Sequence, residues 1–355
     1  STPLYSSAAS DVYKRQTFSA ANAEDTNISA NNSLAYVLRL TVTDNAGNSA
    51  YDELTFTWDT AAPTVSIVSP ANAAYCNADN CDTVTVEGLC SEEGRNVVIG
   101  GAISDTATCT GGEWSAIIDY SGEAEGALTI TADHDDLAGN DATQASIGIT
   151  KDTVLPSVNV GSDVLSRIQA NLNATASDSN GISSYSWTKQ AGAGTITFGT
   201  ATAEDTTASA SADEAYTLRL TVTDAAGNSA SDDLTFTWDT TGPSVNIGSD
   251  LIVKQQYSLN ATTSDTNGIA SYTWSKQSGT GTITFGTGSA EDTTISANAE
   301  EAYVLRLTVV DNAGNSSYDE INFTWDTTAP SVLSLIHISE PTRRTPISYA
   351  VFCLK

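Results

Sequence analysis

Tyr216-Thr-Leu-Arg-Leu-Thr-Val-Thr-Asp224-Ala-Ala-Gly-Asn228 returns as Tyr303-Val-Leu-Arg-Leu-Thr-Val-Val-Asp311-Asn-Ala-Gly-Asn315, and a third time as Tyr36-Val-Leu-Arg-Leu-Thr-Val-Thr-Asp44-Asn-Ala-Gly-Asn48. Tyr216, Leu218, Leu220 and Val222 alternate with Thr217, Arg219, Thr221 and Thr223. That is the period of a strand with one buried face. Beyond the Asp-Ala-Ala-Gly-Asn turn, Leu234, Phe236 and Trp238 alternate with Thr235 and Thr237. The stretch therefore predicts an antiparallel hairpin, with Gly227 and Asn228 supplying residues that tolerate positive φ.

A second signature shares the 87-residue offset: Ile182-Ser-Ser-Tyr-Ser-Trp187-Thr-Lys-Gln becomes Ile269-Ala-Ser-Tyr-Thr-Trp274-Ser-Lys-Gln. Prolines at Pro63, Pro156, Pro243 and Pro330 each follow an Asp-Thr pair and lie 93, 87 and 87 residues apart. Proline ends strand pairing, so these are read as short linkers. Two complete repeats result, 155–241 and 242–328. Residues 17–60 are the C-terminal half of a third, 61–154 form a divergent module, and 329–332 begin another.

Seven or so short strands in under a hundred residues fit an immunoglobulin-like sandwich. Trp187 and Trp274 are then core tryptophans, and Tyr36, Tyr216 and Tyr303 tyrosine corners. The expected fold class is all-β, with tandem immunoglobulin-like sandwiches strung as beads on a string. The Tyr-Ser-Trp-Thr-Lys-Gln segment, the following Thr-Ile-Thr-Phe and the Leu-Arg-Leu-Thr-Val-Thr-Asp strand resemble the PKD-like domains of bacterial surface proteins and secreted hydrolases. The resemblance covers both complete repeats and the partial one, and implies a fold without implying an activity. Residues 61–154 keep the hairpin turn as Asp136-Leu-Ala-Gly-Asn140 but lack the Tyr-Ser-Trp segment, and resemble a bacterial Ig-like domain of another subtype.

The two ends read differently. Ser6 to Gln16 back-translates codon by codon as a transposase-type sequencing adapter, and Leu335–Arg343 with Ile347–Leu354 as its partner and the flow-cell end. Residues 1–16 and 333–355 are therefore expected to be adapter-derived and are set aside. They hold five of the 14 basic residues (Lys14, Arg15, Arg343, Arg344, Lys355) but only two of the 43 acidic ones (Asp11, Glu340), so the remainder is more acidic than the formal net charge of -29.

Such acidity disfavours nucleic acid and anionic headgroups, and no window is apolar for the roughly 20 residues that a membrane helix needs. Cations are the natural small partners. The cysteines outside the ends, Cys76, Cys81, Cys90 and Cys109, all fall in the divergent module. An even count in one module points to two disulfides and an oxidising compartment, paired Cys76 with Cys81 and Cys90 with Cys109. Zinc is the alternative, but its usual Cys-x-x-Cys spacing is absent.

No catalytic residues are expected. His134 is the sole histidine outside the ends, which leaves no triad to repeat per module, and it is expected in a solvated turn among Asp133, Asp135 and Asp136. The sharper chemistry is calcium, which takes oxygen ligands from Asp, Asn and carbonyls. Asp178-Ser-Asn180-Gly and Asp265-Thr-Asn267-Gly recur in register, and PKD-like and related extracellular repeats place calcium in comparable loops. Asp239 and Asp326 could add ligands at the linkers. The competing reading is that Asp, Asn and Gly are what β-turns use. The expected function is a non-catalytic extracellular stalk or adhesion region of a bacterial surface protein, with a surface protein or glycan as partner. The second possibility is a set of accessory modules of a secreted hydrolase, whose catalytic domain lies elsewhere.

Overall fold

In a computed structural model, the structure describes residues 26–331, together with the backbone of Leu4–Ser6 and Gln16–Phe18. The adapter-like ends otherwise lie outside the described residues, as does Val332. Strands and turns account for all regular structure among the described residues, and no helix is long and apolar enough to cross a membrane. By contacts the chain divides into two compact units, residues 1–164 with 169–236, and residues 165–168 with 237–355.

The repeated hairpin forms as its alternation predicts. In the first complete repeat Glu214–Asp224 and Ser229–Trp238 are the inner pair of a four-stranded sheet, flanked by Ile182–Ala191 and Val164–Ser166. Tyr216, Leu218, Leu220, Val222 and Phe236 are wholly buried, while Trp238 is half-buried. The opposing sheet is Ala170–Leu172, Thr206–Ala210 and Ile196–Phe198, and a small ladder pairs Ser157–Asn159 with Thr175–Ser177. The strand count exceeds seven because two strands are interrupted: Ser157–Asn159 resumes as Val164–Ser166, and Ala170–Leu172 of the opposing sheet resumes after Asn173 and Ala174 as Thr175–Ser177 of the small ladder. The second repeat reproduces this arrangement strand for strand, around Leu259, Trp274, Ile295, Tyr303, Leu305, Leu307, Ile321 and Phe323.

Both core tryptophans are buried, with Nε1 of Trp187 donating to the Glu204 carbonyl and Nε1 of Trp274 to the Ala290 carbonyl. Each corner tyrosine donates its hydroxyl to the carbonyl four residues upstream: Tyr36 to Asn32, Tyr216 to Ala212, Tyr303 to Ala299. A buried aromatic thus keeps its polar tip satisfied.

In the half-repeat, Leu34–Thr43 pairs with Ser49–Trp58, but Leu40, Val42 and Leu54 are 44, 43 and 62% exposed, where Leu220, Val222 and Leu234 are at 0, 0 and 3%. The hairpin forms from its own pattern. In the second complete repeat the matching face packs against Leu259 and Ile295 of the opposing sheet.

The divergent module sets a five-stranded sheet (in order Asp105–Thr108, Asn96–Gly101, Gly126–His134, Ala145–Lys151, Ala74–Cys76) against Glu113–Ile118, Val84–Cys90 and Val65–Ser69. Its core tryptophan comes from a different strand. Trp114 lies over Gly88, where a Cβ would fall 2.6 Å from Nε1 and 1.8 Å from the Ser66 carbonyl oxygen, so only glycine fits there. Disulfides join Cys76 to Cys81 and Cys90 to Cys109. All four sulfurs are thereby spent, which leaves no thiolate for zinc.

Candidate cation centres at the linkers

The site begins with the hairpin turn. Asp224 accepts the backbone N–H of Asn228 at one carboxylate oxygen and its Nδ2 at the other, both at 2.9 Å, while the Asp224 N–H donates to the Asn228 carbonyl at 3.0 Å. Gly227, at φ +95°, lets the chain reverse between them. The other hydrogen of Asn228 Nδ2 goes to the carbonyl of Asp152, in the linker that enters the repeat, at 2.8 Å. One buried amide therefore closes the turn and grips the linker.

The Asp178 turn arrives from the other side. Asn180 donates its backbone N–H to Asp178 Oδ1 at 2.7 Å and its Nδ2 to Asp152 Oδ2 at 2.9 Å. Asp152, Asp178 and Asp224 are thus gathered, each offering a carboxylate oxygen, with those oxygens all within 4.8 Å of one another. The second unit contains the same set shifted by 87 residues: Asp239, Asp265 and Asp311 within the same limit, Asn315 Nδ2 on the Asp239 carbonyl at 2.9 Å, and Asn267 Nδ2 on Asp239 Oδ2 at 2.8 Å.

Four of these acids are nearly sealed from solvent: Asp152, Asp224 and Asp311 are 1% exposed and Asp239 4%. Among the described residues none of the six forms an ion pair with a basic side chain. At an effective dielectric near 20, two ionised carboxylates about 5 Å apart repel by roughly 3 kcal/mol. Asparagine donors offset part of that repulsion, and a divalent cation offsets more. Calcium–oxygen distances of about 2.3–2.6 Å allow two ligands of one ion to lie up to about 5 Å apart, so the donor set fits in chemistry and spacing.

Of the residues singled out from the sequence, Asp178, Asp239 and Asp265 lie in these clusters. Asn180 and Asn267 touch them through Nδ2, as donors to the linker carboxylate. Asp326 is exposed and joins no acidic cluster among the described residues. Sequence reading missed Asp152, Asp224 and Asp311. The available signal was that all three acids of each cluster, not only the turn aspartate, repeat at the one offset.

A third linker shares the grip, with Asp59 and Asp136 in the places of Asp152 and Asp224, but no third acid joins them among the described residues. Asn140 Nδ2 reaches the Asp59 carbonyl at 3.2 Å and Asp136 Oδ2 at 2.7 Å, which holds the Asp136 carboxyl below its usual range. His134 requires a correction: it ends the strand Gly126–His134 and is buried, not in a solvated turn. Its Nδ1 lies 3.0 Å from the Asn96 carbonyl and its Nε2 accepts the Glu92 N–H at 3.2 Å, which fixes the Nδ1–H tautomer. The strand runs through Asp133 to His134, and pairing with Val97 carries the ring inward.

Residues 163–237 and 248–324 each match a family model for a PKD domain. Both complete repeats are PKD-like, and the chain carries them in tandem. Among solved structures of similar fold are a tetra-tandem repeat from the extending region of a large adhesion protein (20% identity, 92% of each chain, TM-score 0.34) and a Ca2+-stabilized adhesin of an Antarctic bacterium that binds ice (19%, 82% of this chain and 81% of that one, TM-score 0.36). Another is a 1.5-MDa bacterial ice-binding adhesin (15%, 74% of this chain and 98% of that one, TM-score 0.37). No curated protein matches the chain.

Proposed function

We propose that these PKD-like repeats form a non-catalytic extracellular spacer of a bacterial surface protein, with calcium holding the linker at the entrance to each complete repeat. The observation that carries this reading is the recurrence of one arrangement at two linkers: three carboxylates within 4.8 Å, over an asparagine that already grips the linker carbonyl. Asp152, Asp178 and Asp224 would hold one ion, and Asp239, Asp265 and Asp311 the other, with water completing the six to eight oxygens calcium takes. The ion's part is charge neutralisation. The chain's part is to bring a linker residue and two turns of the following repeat onto one point, so that flexing the linker means breaking the cluster.

Two disulfides support an oxidising, extracellular setting. Net acidity keeps a repeat array soluble and resists self-association. In tandem arrays each module leans on its neighbours, so linker stiffness governs how far a terminal binding element is held from its anchor. Calorimetric titration with calcium tests the reading. Two sites per chain are expected, with Asp224→Asn and Asp311→Asn each removing one. A titration without heat, or one unaltered in the double variant, contradicts it.

A further inference from the structure

Asn180-Gly181 and Asn267-Gly268 are the chain's two Asn-Gly dipeptides, and both fall in the linker clusters. Glycine after asparagine removes the Cβ that otherwise hinders the following backbone nitrogen from reaching the side-chain amide carbon. In both repeats that nitrogen is weakly held: Gly181 N–H donates to the Asp178 carbonyl at 3.3 Å and Gly268 N–H to the Asp265 carbonyl at 3.4 Å, beyond the usual hydrogen-bond range. Gly181 is exposed and a Cβ built on it meets nothing within 4 Å, so solvent reaches the site.

We propose that Asn180 and Asn267 are sites of spontaneous deamidation, which turns one of the two amide donors of each cluster into a further carboxylate. The Gly181 nitrogen gives up its proton to solvent and bonds to Asn180 Cγ. The Cγ–Nδ2 bond breaks and ammonia leaves. Water then opens the succinimide at one of its two C–N bonds, giving aspartate or isoaspartate. One water is consumed and one ammonia released, with no oxidant or enzyme. The product loses the donor that held Asp152 Oδ2 at 2.9 Å and puts a negative oxygen in its place, against carboxylates already crowded within 4.8 Å. The linker loosens as the protein ages.

The two sites differ in rate. Position 312 is asparagine where the first repeat has Ala225, and Asn312 Nδ2 donates to the Asn267 carbonyl at 2.7 Å. The same Nδ2 stands 2.9 Å from a Cβ built at Gly268. This extra clamp resists the backbone rotation that cyclisation requires, so Asn180 converts first.

Peptide mapping by mass spectrometry, on the full chain held at mildly alkaline pH, tests the proposal. The mass gain of amide-to-acid conversion is expected at Asn180 severalfold sooner than at Asn267, as a mixture of aspartate and isoaspartate. In urea the two rates become equal. No conversion in the folded chain over a time that converts both sites in urea, or equal rates in the folded chain, overturns it. Asn180→Asp is also expected to melt below the parent in chelator, and an unchanged midpoint overturns the loosening. The mapping needs no metal, so its failure is distinct from failure of the calcium reading.

Discussion

Asn228 Nδ2 donates to the Asp152 carbonyl at 2.8 Å and to Asp224 Oδ2 at 2.9 Å, so a single amide ties the linker to the hairpin turn of the repeat it enters. Asn315 repeats the tie to Asp239, and Asn140 to Asp59. Replacing Asn228 with alanine leaves a buried carbonyl and a buried carboxylate oxygen short of a donor. A loss of about 2 kcal/mol is expected. Thermal unfolding of the first complete repeat should fall by roughly 10 °C, given about 4–8 °C per kcal/mol for a domain of this size. Protease cleavage within residues 152–156 should quicken alongside.

The corner tyrosines give a smaller and cleaner effect. Tyr303→Phe keeps the ring against Phe323 and removes only the hydroxyl that donates to Ala299. A cost of about 1 kcal/mol is expected in the second repeat, read from its denaturant midpoint with an unchanged m-value.

The two disulfides are unequal because their loops are. Cys90–Cys109 spans 19 residues and Cys76–Cys81 spans 5. On chain entropy the first stabilises the divergent module by about 3 kcal/mol and the second by about 2 kcal/mol. The Cys90→Ala/Cys109→Ala variant should therefore unfold at lower denaturant than Cys76→Ala/Cys81→Ala.

Glu214 accepts the backbone N–H groups of Gly194 and Ala193, and Glu301 that of Gly281; these bonds hold both carboxyls below the usual glutamate range. A depressed folded pKa contributes stability that is present above the unfolded value, about 4.3, and is lost as pH falls through the folded one. Melting temperature should thus decline below about pH 4, and Glu214→Gln with Glu301→Gln should flatten that decline. An equally steep decline in the double variant would remove these carboxylates as its cause.

The hairpins were legible because alternation over ten residues, turn chemistry and the repeat offset all agree at Tyr216–Trp238. The core tryptophans and tyrosine corners followed from position within that frame. His134 was not legible: its acidic neighbours suggest solvent, whereas strand pairing with Val97 turns its ring inward. The clusters were half legible. Asp178 and Asp265 stand out in Asp-x-Asn-Gly turns, but Asp224 and Asp311 already have a complete role in their hairpins. That this same carboxylate also faces the linker is a fact of tertiary packing, and no local pattern records it.

The most direct measurement is a thermal melt of the full chain in calcium and in chelator, alongside the Asp224→Asn/Asp311→Asn variant. Calcium is expected to raise the midpoint of the parent in proportion to the logarithm of its concentration and to leave the variant unmoved. A parent midpoint identical in calcium and chelator would contradict calcium-held linkers.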